Sequence, residues 1–76
     1  MAEYSEERMN FGKNLRFYRK KKGYSQNELA TLCEISRSYI CDVECGRRNI
    51  GFDNIVMLAK KLNVSVSKLF KVRNDE

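Results

Sequence analysis

The chain of 76 residues contains no histidine and no proline, and only four glycines and three cysteines. Without histidine it lacks the side chain that most often serves as general base and metal ligand near neutral pH. No residue stands in a known nucleophile signature, no glycine-rich phosphate loop is present, and the carboxylates are scattered. Enzyme activity is therefore not expected. An odd number of cysteines cannot pair completely within the chain, and free thiols in a cytoplasmic protein are the simplest reading. Cys41 and Cys45 stand four apart on one predicted helix, a spacing that can grip a metal. A structural zinc site takes four ligands, however, and Cys33 is predicted to point inward on another helix. The two residues are read as small helix-surface side chains, with redox sensing as the alternative. No metal, cofactor or small-molecule ligand is expected.

Long apolar runs are also missing. Nothing approaches the roughly 20 residues of a membrane span, and the polar, acidic start carries no export signal. No membrane partner is expected, and the expected location is cytoplasmic.

What the chain does have is positive charge, +5 at pH 7, which suits an anionic partner without specifying one. A chain of this length buries only about 60% of its unfolded surface, a first hint that a second copy adds core.

The apolar pattern predicts an all-α fold of five short helices. The first runs from Met9 to Lys22 with Phe11, Leu15 and Tyr18 on one stripe, and Gly23 stops it. The second opens at Ser25, where Ser25 and Glu28 form a capping box, and turns Leu29, Ala30 and Cys33 inward. The third extends from Ser36 to Cys45, ahead of Gly46. The fourth covers Phe52 to Leu62 with Ile55, Leu58, Ala59 and Leu62 inward, and Asn63 is its left-handed stop. The last starts at Ser65 and carries Leu69 and Phe70. One domain is expected over residues 9–72, with polar tails at 1–8 and 73–76.

Ser25 to Glu44, SQNELATLCEISRSYICDVE, places two short helices around a turn at Cys33-Glu34-Ile35. That is the layout of a DNA-binding helix-turn-helix. Ile40 and Val43 define the buried face of its second helix. At 100° per residue, Ser38, Cys41, Asp42 and Cys45 point the other way, and Arg37 reaches round from the N-terminus.

These residues resemble the lambda repressor and Cro type of helix-turn-helix proteins. The resemblance runs from about residue 12 to 70 through LRFYRKKKGYSQNELA, ISRSYICDVECGRRNI and LAKKLNVSVSKLF. Within the family, RSYICDVECGRRNI is most similar to controller proteins of restriction–modification systems, and small phage-type repressors share similar segments. The resemblance implies a five-helix repressor-like domain that binds double-stranded DNA as a homodimer, with helix 3 in the major groove.

It also implies roles for particular residues. Gln26 opens helix 2, where free N–H groups favour a phosphate. Ser36, at the start of helix 3, and Cys41, on its outward face, fall on the DNA side. Arg37 reads a base, since a guanidinium grips guanine O6 and N7 together, or is an ordinary solvated surface arginine, and Ser38 contacts a base or phosphate. Tyr39 braces the backbone, touches a thymine methyl, or packs. Asp42 accepts from cytosine N4 or discourages wrong sites. Arg47, Arg48 and Asn49 match the backbone-contacting loop. Arg19 and Glu44 match an internal ion pair. Val66, Leu69 and Phe70 match a C-terminal dimer interface, although Leu69 can equally belong to the monomer core. One departure concerns Glu34, which stands where glycine is usual in the turn and where a Cβ costs roughly 1 kcal/mol.

The rival reading is an antitoxin or adaptor module on the same fold, in which Leu32, Phe52, Val66 and Phe70 serve a protein partner. RNA is disfavoured because a groove-reading helix does not fit the deep, narrow A-form major groove.

Overall fold

The computed structural model describes residues 5–72 as five helices: α1 (Glu6–Lys21), α2 (Gln26–Cys33), α3 (Arg37–Glu44), α4 (Phe52–Leu62) and α5 (Val66–Phe70). Of the polar tails expected at 1–8 and 73–76, residues 1–4 and 73–76 lie outside the described residues, whereas residues 5–8 cap and open α1. Helix α1 starts three residues before the Met9 that the apolar stripe predicts. Ser5 caps it, its hydroxyl accepting from the Arg8 N–H at 3.0 Å, and Glu6 and Glu7 complement the positive end of the dipole. Periodicity misses this turn because a capped first turn is polar all round.

Helices α1 to α4 all end in the same way. The residue after the helix, or one beyond, takes a left-handed conformation, and two backward hydrogen bonds close the end. Gly23 (φ +81°) and Gly46 (φ +79°) do so without a Cβ, whereas Glu34 and Asn63 (φ 57° each) do so with one. Around Glu34 the bonds are Glu34 N–H to Thr31 O at 3.2 Å and Ile35 N–H to Ala30 O at 3.0 Å. The helix 2–3 turn thus keeps the left-handed geometry despite its side chain.

The core is built from Phe11 and Leu15 of α1, Leu29, Ala30 and Cys33 of α2, Ile40 and Val43 of α3, Leu58, Ala59 and Leu62 of α4, and Leu69 of α5. Tyr18, Ile35 and Ile55 pack against it partly buried. Two asparagines of α1 tie it to the end of α5. Asn14, fully buried, donates to Leu69 O at 2.9 Å and Lys71 O at 2.7 Å, and Asn10 donates to Phe70 O and Lys71 O. These bonds satisfy carbonyls that the short α5 leaves without intrahelical partners.

Gly12 sets how closely α1 approaches α3. A Cβ placed there would lie 2.5 Å from the carbonyl oxygens of both Val43 and Glu44. Only a residue without a side chain lets the C-terminal end of α3 rest on α1.

Candidate nucleic-acid interface

Local chemistry sets the two helices of the motif. Ser25 and Glu28 form the expected capping box, with Glu28 N–H to Ser25 Oγ at 3.0 Å and Ser25 N–H to Glu28 Oε1 at 2.7 Å. Ser36 caps α3 by accepting from the Tyr39 N–H at 3.0 Å, so its hydroxyl oxygen is engaged within the protein. Buried Ile40 and Val43 fix the roll of α3, which leaves Arg37, Ser38 and Cys45 exposed and Cys41 and Asp42 half-buried.

Behind that face stands the ion pair of Arg19 and Glu44, whose side chains are 8% and 4% exposed. Arg19 Nε donates to Glu44 Oε2 at 2.6 Å, Nη2 to Oε1 at 3.1 Å, and Nη1 to the Tyr24 carbonyl at 2.9 Å. Burying two charges is tolerable only when their hydrogen bonds are satisfied in this way. The network then continues outward, because Gln26 Nε2 donates to the same Glu44 Oε1 at 3.0 Å. A carboxylate can only accept, so it takes the NH2 end of the amide and turns the amide oxygen away. That oxygen receives Arg37 Nη1 at 3.1 Å. A chain of hydrogen bonds thus runs from the interior of α1 to the exposed arginine at the front of α3.

The loop after α3 carries Arg47, Arg48 and Asn49, all exposed. Asp42 pairs with Arg47 at 3.2 Å and lies 3.8 Å from Arg48. The Arg48 guanidinium carbon sits 4.7 Å from the centre of the Tyr39 ring, and the Tyr39 hydroxyl accepts from Asn54 Nδ2 at 3.0 Å. Of the roles open to Tyr39, packing is the one it visibly fills: half-buried, it braces Arg48 and ties α3 to α4.

The remaining candidates separate clearly. Leu69 has no exposed surface, so it belongs to the monomer core and cannot anchor a dimer contact, which corrects that expectation. Val66 is half-buried. Phe70 is 48% exposed, with its ring centroid 5.1 Å from that of Phe11. Among the described residues no cluster of three or more potential metal ligands exists, and no helix is long and apolar enough to cross a membrane. Burial pushes the Cys33 thiol above its ordinary pKa, an effect that nearby Lys61 partly opposes, which marks it as an unreactive core thiol.

Sequence reasoning missed the Gln26–Glu44 bond and the role of Gly12. A glycine inside the predicted first helix, next to buried Phe11, was the available signal for the second, since such a residue usually has a packing reason. The first had no signal, because it depends on how α2 and α3 cross.

Known proteins place this architecture. A profile of the helix-turn-helix family matches residues 15–69. Control protein C.BamHI of Bacillus amyloliquefaciens is 41% identical over 63 residues, covering 82% of this chain and 78% of that one. The crystal structure of the restriction–modification controller protein C.AhdI from Aeromonas hydrophila superposes with a TM-score of 0.78 at 44% identity, covering 82% of this chain and 94% of that one. The biofilm regulator SinR in complex with DNA superposes with a TM-score of 0.76 at 32% identity over 80% of this chain and 98% of that one. With its paired helices, left-handed turn and internal arginine–glutamate pair, the chain belongs to the lambda repressor and Cro type of helix-turn-helix family, a family of regulatory DNA-binding proteins and not of enzymes.

Proposed function

We propose that this protein is a sequence-specific transcriptional regulator that binds double-stranded DNA as a homodimer, with α3 in the major groove of each half of a roughly palindromic operator. The observation that carries this reading is the hydrogen-bond chain from Arg19 through Glu44 and Gln26 to Arg37. It leaves a guanidinium at the front of an exposed helix with its direction already restricted, as two-pronged recognition of guanine requires. Ser38, Cys41 and Asp42 share the outward side of α3, while Arg47, Arg48 and Asn49 supply backbone contacts beside it. Similarity to C.BamHI and C.AhdI favours a controller of a restriction–modification system.

The dimer reading rests on the other end of the molecule. Phe70, Val72 and Met9, respectively 48%, 68% and 39% exposed, line one groove between α1 and the chain after α5. Large apolar side chains gathered in this way call for a cover. For the operator reading, a twofold contact here has to leave both α3 helices on one side, facing successive major grooves about 34 Å apart.

One observation favours the rival protein-partner reading: Phe52, at the start of α4, is 74% exposed. Gel shifts of genomic fragments across a salt series, with sedimentation of the free protein, decide between them. Steeply salt-dependent binding to a few fragments by a dimer is the expected result. A monomer at about tens of micromolar that binds no fragment selectively would overturn the proposal.

A further inference from the structure

We propose that Asp42 is a specificity-determining residue that acts through Arg47 and Arg48, competing with DNA phosphates for both guanidinium groups. The inference rests on the reading of α3 as the groove helix. It begins with the way α3 ends. Gly46 N–H bonds to Val43 O at 3.0 Å and Arg47 N–H to Asp42 O at 2.9 Å, which folds residue 47 back over residue 42. At this closure the residues brought together often make an apolar contact. Here they carry opposite charges.

The geometry gives each carboxylate oxygen one arginine. Arg47 Nη1 lies 3.2 Å from Oδ1 and Arg48 Nη2 3.8 Å from Oδ2. All three side chains are between 35% and 49% exposed. Ion pairs this exposed are weak and exchangeable. A phosphate that approaches the loop must therefore displace the carboxylate from the arginines it recruits.

The displaced carboxylate does not return to bulk water, because Asp42 lies on the outward side of α3 among the residues facing the groove. There it needs a donor. Only cytosine N4 and adenine N6 present one in the major groove, whereas guanine and thymine present acceptors. At a base pair with a well-placed amine, Asp42 releases the arginines and is satisfied. At any other, it either keeps the arginines from the phosphates or is left as an unpaired, desolvated acceptor. Base identity opposite Asp42 is thereby coupled to backbone grip by two residues that read no base themselves.

The test is a double-mutant cycle on the full chain. Asp42→Asn, with Asp42→Ala as a second variant that removes the residual amide contact, is measured in the wild type and in the Arg47→Ala/Arg48→Ala background. Affinities are taken for the selected operator and for a random-sequence duplex of equal length, at one salt concentration, with urea melts to verify folding. Loss of the carboxylate is expected to tighten random-duplex binding about three- to tenfold, the range for releasing two exposed ion pairs. The operator gains less, and the gain on random duplex falls below about twofold once the arginines are absent. An equal gain in both backgrounds would show simple repulsion of phosphates and overturn the proposal while leaving the groove reading intact. A wild type with no preference for any duplex would overturn the groove reading, and this proposal with it.

Discussion

Two ion-paired carboxylates sit on α3 within three residues of one another, and they are built for opposite purposes. Glu44 faces the protein, is 4% exposed, and holds the Arg19 guanidinium at 2.6 Å. Asp42 faces outward, is 35% exposed, and shares two arginines at 3.2 and 3.8 Å. The first pair cannot be exchanged, because removing either partner strands a charge out of water. The second can, because water and dissolved ions compete for it. One helix thus carries a fixed charge that orients it and an exchangeable charge on its outward side. The difference lies in which side of the helix each residue occupies, since residues two apart point roughly 200° apart.

The largest way to break this contrast is Glu44→Ala. It leaves Arg19 buried and unpaired and should cost about 3–5 kcal/mol of stability, read from urea melts. A loss below about 1 kcal/mol would mean the pair is solvated like the one at Asp42. Next in size is Gly12→Ala. In an unconstrained helix that change is favourable, by up to about 1 kcal/mol. Here the new Cβ meets two backbone carbonyls, so a destabilisation of about 1–3 kcal/mol is expected. It should also weaken DNA binding, because α3 must shift to accept it. A smaller effect of opposite sign belongs to Glu34→Gly. Relief of the left-handed conformation should stabilise the chain by a few tenths to about 1 kcal/mol, after the entropy glycine adds to the unfolded state. A clear loss of stability in the same melts would contradict the strain assigned to φ 57°. Smallest of all is the counterpart on the outward side. Asp42→Asn should move stability by no more than about 0.5 kcal/mol, since its ion pairs are solvent-accessible and the amide keeps the shape of the side chain. A large loss would mean that Asp42 is as fixed as Glu44.

Much of this was legible in the residues. The capping box at Ser25 and Glu28, the stops at Gly23, Gly46 and Asn63, and the inward faces of α2 to α4 follow from local rules of spacing and capping. The pairing of Arg19 with Glu44 came through family resemblance, since nothing in their separation by 25 residues predicts a contact. Three features were not read from the sequence because each arises where elements cross, although a glycine inside the first helix was a signal for the first of them. The close approach at Gly12, the turn of the Gln26 amide between Glu44 and Arg37, and the brace of Tyr39 by Asn54 need the relative placement of two helices. Leu69 shows the same limit from the other side. An apolar residue near the chain end reads equally as core or interface until α1 is placed over α5, and it proves to be core. The early start of α1 escaped because Ser5 and its acidic neighbours form a turn by capping and dipole, with no apolar stripe to mark it.

Whether α3 reads DNA through an arginine held in place from the protein interior is decided by selecting binding sites from random duplexes. Wild type and Arg37→Ala would be compared side by side. The wild type should return a rough palindrome with half-sites about one helical turn apart. The variant should lose about 1–3 kcal/mol on that site and lose its preference at one symmetric base pair, with the rest of the pattern intact. An Arg37→Ala profile with the same preference at every position would contradict the account.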